Sequence, residues 1–145
     1  MTQPAGSTEI VAGLERIVVA SVAVTARALA DVAPELTLVQ WRVLVLVDRH
    51  GGMGVGPIAT ALGAKIAAVS RLVARLRARG LVDTKRGEPD ARVVVVSLSD
   101  QGAELRRRVL AHRGAALLAG VERAGLPSDA EDVVEQLAVI LETVQ

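Results

Sequence analysis

The side chains of this chain that could act on another molecule are almost all basic. Eight of them fall between positions 65 and 92: Lys65, Arg71, Arg75, Arg77, Arg79, Lys85, Arg86 and Arg92. Three acids, Asp83, Glu88 and Asp90, share that span. The local balance is +5 where the whole chain carries +1, so the remainder holds −4. From Leu126 to Gln145 there are five acids and no Lys or Arg. A basic middle between more acidic ends is the footprint of a localised phosphate-binding face. A solvated, merely Arg-rich helix face would give the same run, so charge alone leaves both readings open.

Other chemistry is poorly supplied. There is no cysteine, which removes disulfides, thiolate metal sites and thiol redox switching. His50 and His112 lie far apart, and neither has a metal-ligand partner three or four residues on. No metal or cofactor is therefore expected. Ser97 and Ser99 have no nearby His–Asp pair, so no activated nucleophile is indicated and the chain does not read as an enzyme. Trp41 is the sole aromatic residue and reads as a core anchor. With so little to stack on bases, single-stranded nucleic acid is a poor partner.

With 145 residues, 51% of them hydrophobic, the chain suits one compact domain with a helical extension. The longest apolar stretch, Ile17 to Ala26, sits between Arg16 and Arg27 and is too short to span a membrane. The first residues do not read as a signal peptide, and a cytoplasmic location is expected.

The elements that must position the basic residues follow from periodicity. Glu9 to Asp31 reads as a long helix with Leu14, Ile17, Val18, Val22 and Leu29 on one apolar face. Ala33-Pro34-Glu35 breaks it, and Thr37 caps a helix from Leu38 to Arg49. The run Val43 to Val47 would equally suit a buried strand; its context favours helix. Pro57 suits the first position of a short helix ending at Leu62, closed by Gly63. A further helix runs from near Lys65 to Gly80, with Ile66, Val69, Val73 and Leu76 forming one stripe. Two short helices joined at a glycine make a helix-turn-helix. The period then changes. Leu81 to Arg86 and Arg92 to Leu98 form a hairpin around Gly87-Glu88-Pro89-Asp90-Ala91. Ser99 or Asp100 caps a helix reaching Ala124, and Ser128 caps a last helix carrying Val133, Val134, Leu137, Ile140, Leu141 and Val144.

Opposite the stripe of the helix after Lys65 lie Arg71, Arg75 and Ala78, flanked by Ala67, Ala74 and Arg79. Small residues and two arginines one turn apart suit the major groove. Alanines permit close approach and touch thymine methyls; arginines reach guanine edges or phosphates. Any amphipathic surface helix shows such a stripe, but here a hairpin with a basic tip follows it in the place of a wing.

Leu62-Gly63, then Val69-Ser70-Arg71-Leu72-Val73-Ala74-Arg75-Leu76, then Arg79-Gly80-Leu81-Val82, resembles the multiple-antibiotic-resistance regulator (MarR) family. Asp90-Ala91-Arg92 and Val93 through Gly102 are similar to that family's wing and the start of its next helix. The resemblance covers about 36–105 at motif level. It implies a mainly α fold with a small β-hairpin: a winged helix-turn-helix with terminal helices that form a dimerisation region. Residues 1–35 would be the N-terminal dimerisation helix, 36–100 the DNA-binding domain and 101–145 the C-terminal dimerisation helices.

The implied function is a homodimeric transcription repressor that binds pseudo-palindromic double-stranded DNA. Its DNA contacts would be Lys65, Ser70, Arg71, Arg75, Lys85, Arg86, Asp90 and Arg92. Arg92 would enter the minor groove with Asp90 orienting its guanidinium. The family also implies release by a small, often phenolic or anionic, effector held between the two regions. The expected cleft lies near Trp41 and is lined by Val, Leu and Ala. One departure stands out. The turn Ala64-Lys65-Ile66-Ala67-Ala68 lacks the Ser or Thr usual there, which weakens base readout and leaves Lys65 as a phosphate contact. A protein-interaction winged helix with weak or no DNA binding is the alternative. Arg106-Arg107-Arg108 reads as a solvated helix face, with a second phosphate contact as the alternative.

Overall fold

The computed structural model describes residues 7–87 and 93–143. Its elements in chain order are α1 (Ser7–Val32), α2 (Leu38–Arg49), β1 (Met53–Gly54), α3 (Val55–Leu62), α4 (Ile66–Ala78), β2 (Val82–Arg86), β3 (Val94–Leu98), α5 (Asp100–Ala124) and α6 (Ala130–Thr143). The mainly helical winged helix-turn-helix expected from the sequence is the fold observed.

Local chemistry sets the boundaries. At Thr37 the hydroxyl accepts from the Gln40 amide (3.2 Å), and the Gln40 side chain accepts from the Thr37 N–H (2.9 Å). This reciprocal cap satisfies two donors that a helix start otherwise leaves open, and it commits Val43–Val47 to helix rather than strand. The turn after it reaches two residues, Met53 and Gly54, that pair antiparallel with Val96 and Val95. The sheet is therefore three-stranded, in the order β1-β3-β2, rather than the bare hairpin expected. Helix α3 begins at Val55, so Pro57 is its third residue and not its first. Proline is still tolerated there, because first-turn N–H groups have no intrahelical acceptor. Gly63 ends α3 in the left-handed conformation (φ 60°), which glycine adopts without penalty. The chain then turns through 110° into α4, within the usual range of a helix-turn-helix.

The core gathers Val43, Leu44 and Val47 of α2, Ile58 of α3, Val69 and Leu76 of α4, Val82 and Val96 of the sheet, and Val109 of α5. Trp41 is buried beside them, as its reading as an anchor required. At the junction of sheet and α5, the Ser99 hydroxyl donates to the Gly80 carbonyl and accepts from the Gly102 N–H. Ser99, not Asp100, is thus the cap. A Cβ on Gly102 would collide with the Leu81 carbonyl oxygen, so this position needs glycine for close backbone approach. Helix α6 begins at Ala130, which puts Asp129 rather than Ser128 in the flanking position.

The terminal helices are bound differently. Helix α1 packs along α5, held by Arg113 donating to Thr25 Oγ1 (3.2 Å) and by His112 paired with Asp31 (3.1 Å). Only Ala28 and Leu29 of α1 are buried; Ile17, Val18 and Val22 are exposed. Helix α6 has no buried residue and exposes Val133, Val134, Val139 and Ile140. Among the described residues, no single helix is long and apolar enough to cross a membrane.

Candidate nucleic-acid interface

Helix α4 buries Val69, Val73 and Leu76 and packs chiefly on α3 and β2. That leaves Ala67, Ser70, Arg71, Ala74, Arg75, Arg77 and Ala78 exposed along its outer side. Two residues depart from the helical wheel. Ile66, expected in the buried stripe, is 61% exposed: it sits at the edge of that stripe, one turn before the exposed Ser70. Arg79, expected beside Arg75, turns back. Its Nη1 donates to the Glu35 carbonyl (3.2 Å) and its Nη2 to Glu35 Oε1 (2.7 Å). It occupies the C-cap, where the backbone has left helical geometry, so wheel angles no longer govern it.

Strands β2 and β3 pair from Val82 with Leu98 to Arg86 with Val94, and the Gly87 N–H donates to the Val93 carbonyl (2.7 Å) at the tip. Alternation buries Val82 and Val96 and turns Asp83 and Lys85 outward; Arg86, on the same face as Val82, is exposed at the end of the strand. Between this ribbon and α4 runs a groove of about 420 Å³. Ser70, Arg77, Thr84, Lys85 and Arg86 supply its polar lining. Ser70, Lys85 and Arg86 were expected at the interface and are brought together here. Arg71 and Arg75 lie on the adjoining exposed side, and Lys65 flanks the start of α4 without a side-chain cap bond. Asp90 and Arg92 fall at 88–92, outside the described residues. Arg77 was missed by the sequence reading. It lies close to the core stripe on the wheel, and only the ribbon beside it makes a groove for it to line.

Charge pairing separates these cations from the others. Among the described residues, salt bridges engage Arg27, Arg49, Arg79, Arg106 and Arg107. None engages Lys65, Arg71, Arg75, Arg77, Lys85 or Arg86. Cations held near one another without acceptors form a positive field at the surface, which polyphosphate neutralises.

The triplet Arg106-Arg107-Arg108 is not uniformly solvated as expected. Arg106 is largely covered. Its Nε lies 2.8 Å from Asp48 Oδ2, and its guanidinium carbon sits 6.0 Å from the centre of the Trp41 ring. Arg107 pairs with Glu104 on its own helix. Arg106 also borders a second cavity, of about 480 Å³, between α1, α2 and α5. Val22, Leu38, Trp41, Val45 and Leu110 give this cavity its apolar wall, and Arg42 and Arg113 join Arg106 at its edge. The place near Trp41 is as expected. The lining is not, since three arginines border it where Val, Leu and Ala alone were anticipated.

Comparison with known proteins agrees with this geometry. Residues 36–94 match the MarR family model, a stretch running from before α2 to the first residue of β3. The resemblance read from the sequence is thereby shown over that segment. YfiV of Bacillus subtilis, named as an uncharacterized HTH-type transcriptional regulator, is 28% identical over 106 residues, covering 73% of this chain and 66% of its own. The HTH-type transcriptional repressor IacR of Pseudomonas putida is 31% identical over 70 residues, covering 48% and 42%. The chain thus spans less than two thirds of the length of either relative. The crystal structure of RV1404 from Mycobacterium tuberculosis superposes with a TM-score of 0.81 at 28% identity, covering 94% of this chain and 93% of that one.

Proposed function

We propose that this chain is a sequence-specific double-stranded DNA-binding transcription repressor that works as a homodimer. One observation carries the reading: Arg77, Lys85 and Arg86 line one groove, Lys65, Arg71 and Arg75 are exposed on or beside the same helix, and none of the six has a carboxylate partner among the described residues. Around them α4 exposes Ala67, Ala74 and Ala78, small enough for a helix to approach base edges. The MarR match over 36–94 and the repressor IacR among the relatives support the same assignment. Arg71 and Arg75 are the proposed base-reading residues. Lys65, Ser70, Lys85 and Arg86 hold phosphates. Arg92, oriented by Asp90, enters the minor groove as the resemblance implies. Acting on chromosomal DNA places the protein in the cytoplasm.

The proposed dimer joins the terminal regions, 1–35 and 101–145, of two copies, leaving 36–100 of each to meet DNA. The exposed apolar residues of α1 and α6 support this, because large exposed apolar surface usually marks an interface and a second copy offers the same residues. The proposed effector is a small anion with an apolar body in the cavity beside Trp41. Arg113 and Arg42 there bond only to a threonine hydroxyl and a backbone carbonyl among the described residues, which leaves their charge available.

The test is selection of bound duplexes from genomic fragments, followed by affinity measurements across salt concentrations. Neutralising several phosphates gives a steep fall of affinity with salt. Absence of any salt-dependent duplex binding would assign the fold to protein recognition instead, the reading that the uncapped start of α4 favours.

A further inference from the structure

We infer that Ile66 reads the 5-methyl group of a pyrimidine in the major groove and so sets part of the DNA sequence preference. The inference rests on the DNA-binding reading above and deepens it. Ile66 is the first residue of α4 and the largest apolar side chain exposed on that helix. Helical spacing places Ile66 one turn before Ser70, with Arg77 seven residues further along the same edge. Ser70 and Arg77 line the groove beside the ribbon, so Ile66 continues that lining to the end of the helix.

The chemistry at this end is restricted. Ala64, Lys65, Ile66, Ala67 and Ala68 are all exposed, and none has a hydroxyl or amide side chain. In helix-turn-helix docking, the N-terminal residues of the recognition helix meet the base edges. Apart from Lys65, these side chains have no hydrogen-bonding group and cannot distinguish the donor and acceptor patterns there. They can distinguish one feature, the methyl on C5, which is the apolar group that base pairs present in the major groove. Charge complementarity supplies the approach, since Lys65 directly precedes Ile66 and Arg71 and Arg75 are exposed on another face of the same helix, which draws α4 toward a polyanion. Covering a methyl group with an aliphatic side chain is worth about a three- to fivefold change in affinity. Thymine and 5-methylcytosine both present this group.

The experiment uses the full chain and duplexes selected from a random-sequence library. Each thymine of a selected half-site is replaced in turn by deoxyuridine, which removes only the methyl. The expected result is a loss of about three- to fivefold at one thymine per half-site. Ile66→Ala protein should be indifferent to that replacement, while Ile66→Val keeps most of it. In a second arm, cytosine and 5-methylcytosine are compared at the same position. Tighter binding of the methylated base assigns the contact to either pyrimidine, and equal binding restricts it to thymine. Indifference of the unaltered protein to every deoxyuridine overturns the inference without disturbing the DNA-binding reading, and needs no variant to fold. Equal sensitivity in Ile66→Ala protein also overturns it. A library that yields no salt-dependent duplex overturns the underlying reading, and this inference with it.

Discussion

The region of α4 and the ribbon and the region of α1, α5 and α6 leave opposite things uncovered. Around α4 the cations other than Arg79 have no carboxylate partner among the described residues, while the apolar stripe Val69, Val73 and Leu76 is buried. Along the terminal helices three arginines are engaged, while Arg16, Arg108, Arg113 and Arg123 have no carboxylate partner among the described residues. Arg27 faces Asp31, Arg106 faces Asp48 and Arg107 faces Glu104, but Ile17, Val22, Val134 and Ile140 are exposed. An isolated surface ion pair adds little to stability, so this pairing matters less for holding the helices than for cancelling their charge. Free charge and free apolar surface recruit different partners. The first favours a polyanion through long-range attraction; the second favours another apolar face through contact alone.

The contrast is broken most severely at the terminal helices. Ile140→Asp puts a charge on a face that is exposed in one chain. The single chain should stay folded, but the dimer should dissociate. Operator affinity should then fall by on the order of a hundredfold, because two half-sites no longer bind as a unit. Sedimentation velocity and DNA titration on the same sample check both effects. A stable monomer of the unaltered protein at micromolar concentration would remove the proposed interface altogether.

The seam between the two regions comes next. Gly102→Val forces a side chain against the Leu81 carbonyl and should destabilise the fold by about 1–3 kcal/mol, read as a lower urea midpoint with unchanged slope. Smaller again are the base-reading residues. Arg71→Ala or Arg75→Ala should change which sequences are selected, by about 1–3 kcal/mol at the affected position. Arg107→Ala should leave selection as it was, since that side chain is engaged with Glu104 on α5. If Arg107→Ala loses binding while Arg75→Ala does not, the contrast between the regions has been drawn the wrong way round. The mildest effect belongs to the ribbon. Lys85→Ala and Arg86→Ala should each flatten the salt dependence by about one unit of slope, with little change in sequence preference.

Much of this architecture was legible in the residues because the signals were local. Thr37 and Ser99 announce helix starts, Gly63 and Gly80 announce ends, and the spacing of Val69, Val73 and Leu76 marks a buried stripe. What failed was information that no local window holds. Two residues, Met53 and Gly54, are too few to show a period, so β1 becomes visible only when β3 is beside it. Ile66 fits the stripe by spacing, but it sits at the stripe's edge beside Ser70, and whether an edge position is covered depends on its neighbours in the fold. Arg79 and Arg106 read as outward-facing until Glu35 and Asp48, distant in sequence, are seen to engage them. Arg77 gains meaning only from the groove that the ribbon completes.

The sheet order has a consequence for behaviour at high concentration. With β3 in the middle, β2 is an outer strand whose far side offers unpaired backbone groups. Such an edge is a template onto which a strand from another molecule can add, the first step toward aggregates. Here the edge is only five residues long and carries Asp83, Lys85 and Arg86, all exposed. Short length and charge are two of the devices by which natural sheets refuse an added strand. The side chains proposed to meet phosphate therefore also act as gatekeepers. Replacing Lys85 and Arg86 together by valine should make the protein precipitate on concentration, independently of any DNA.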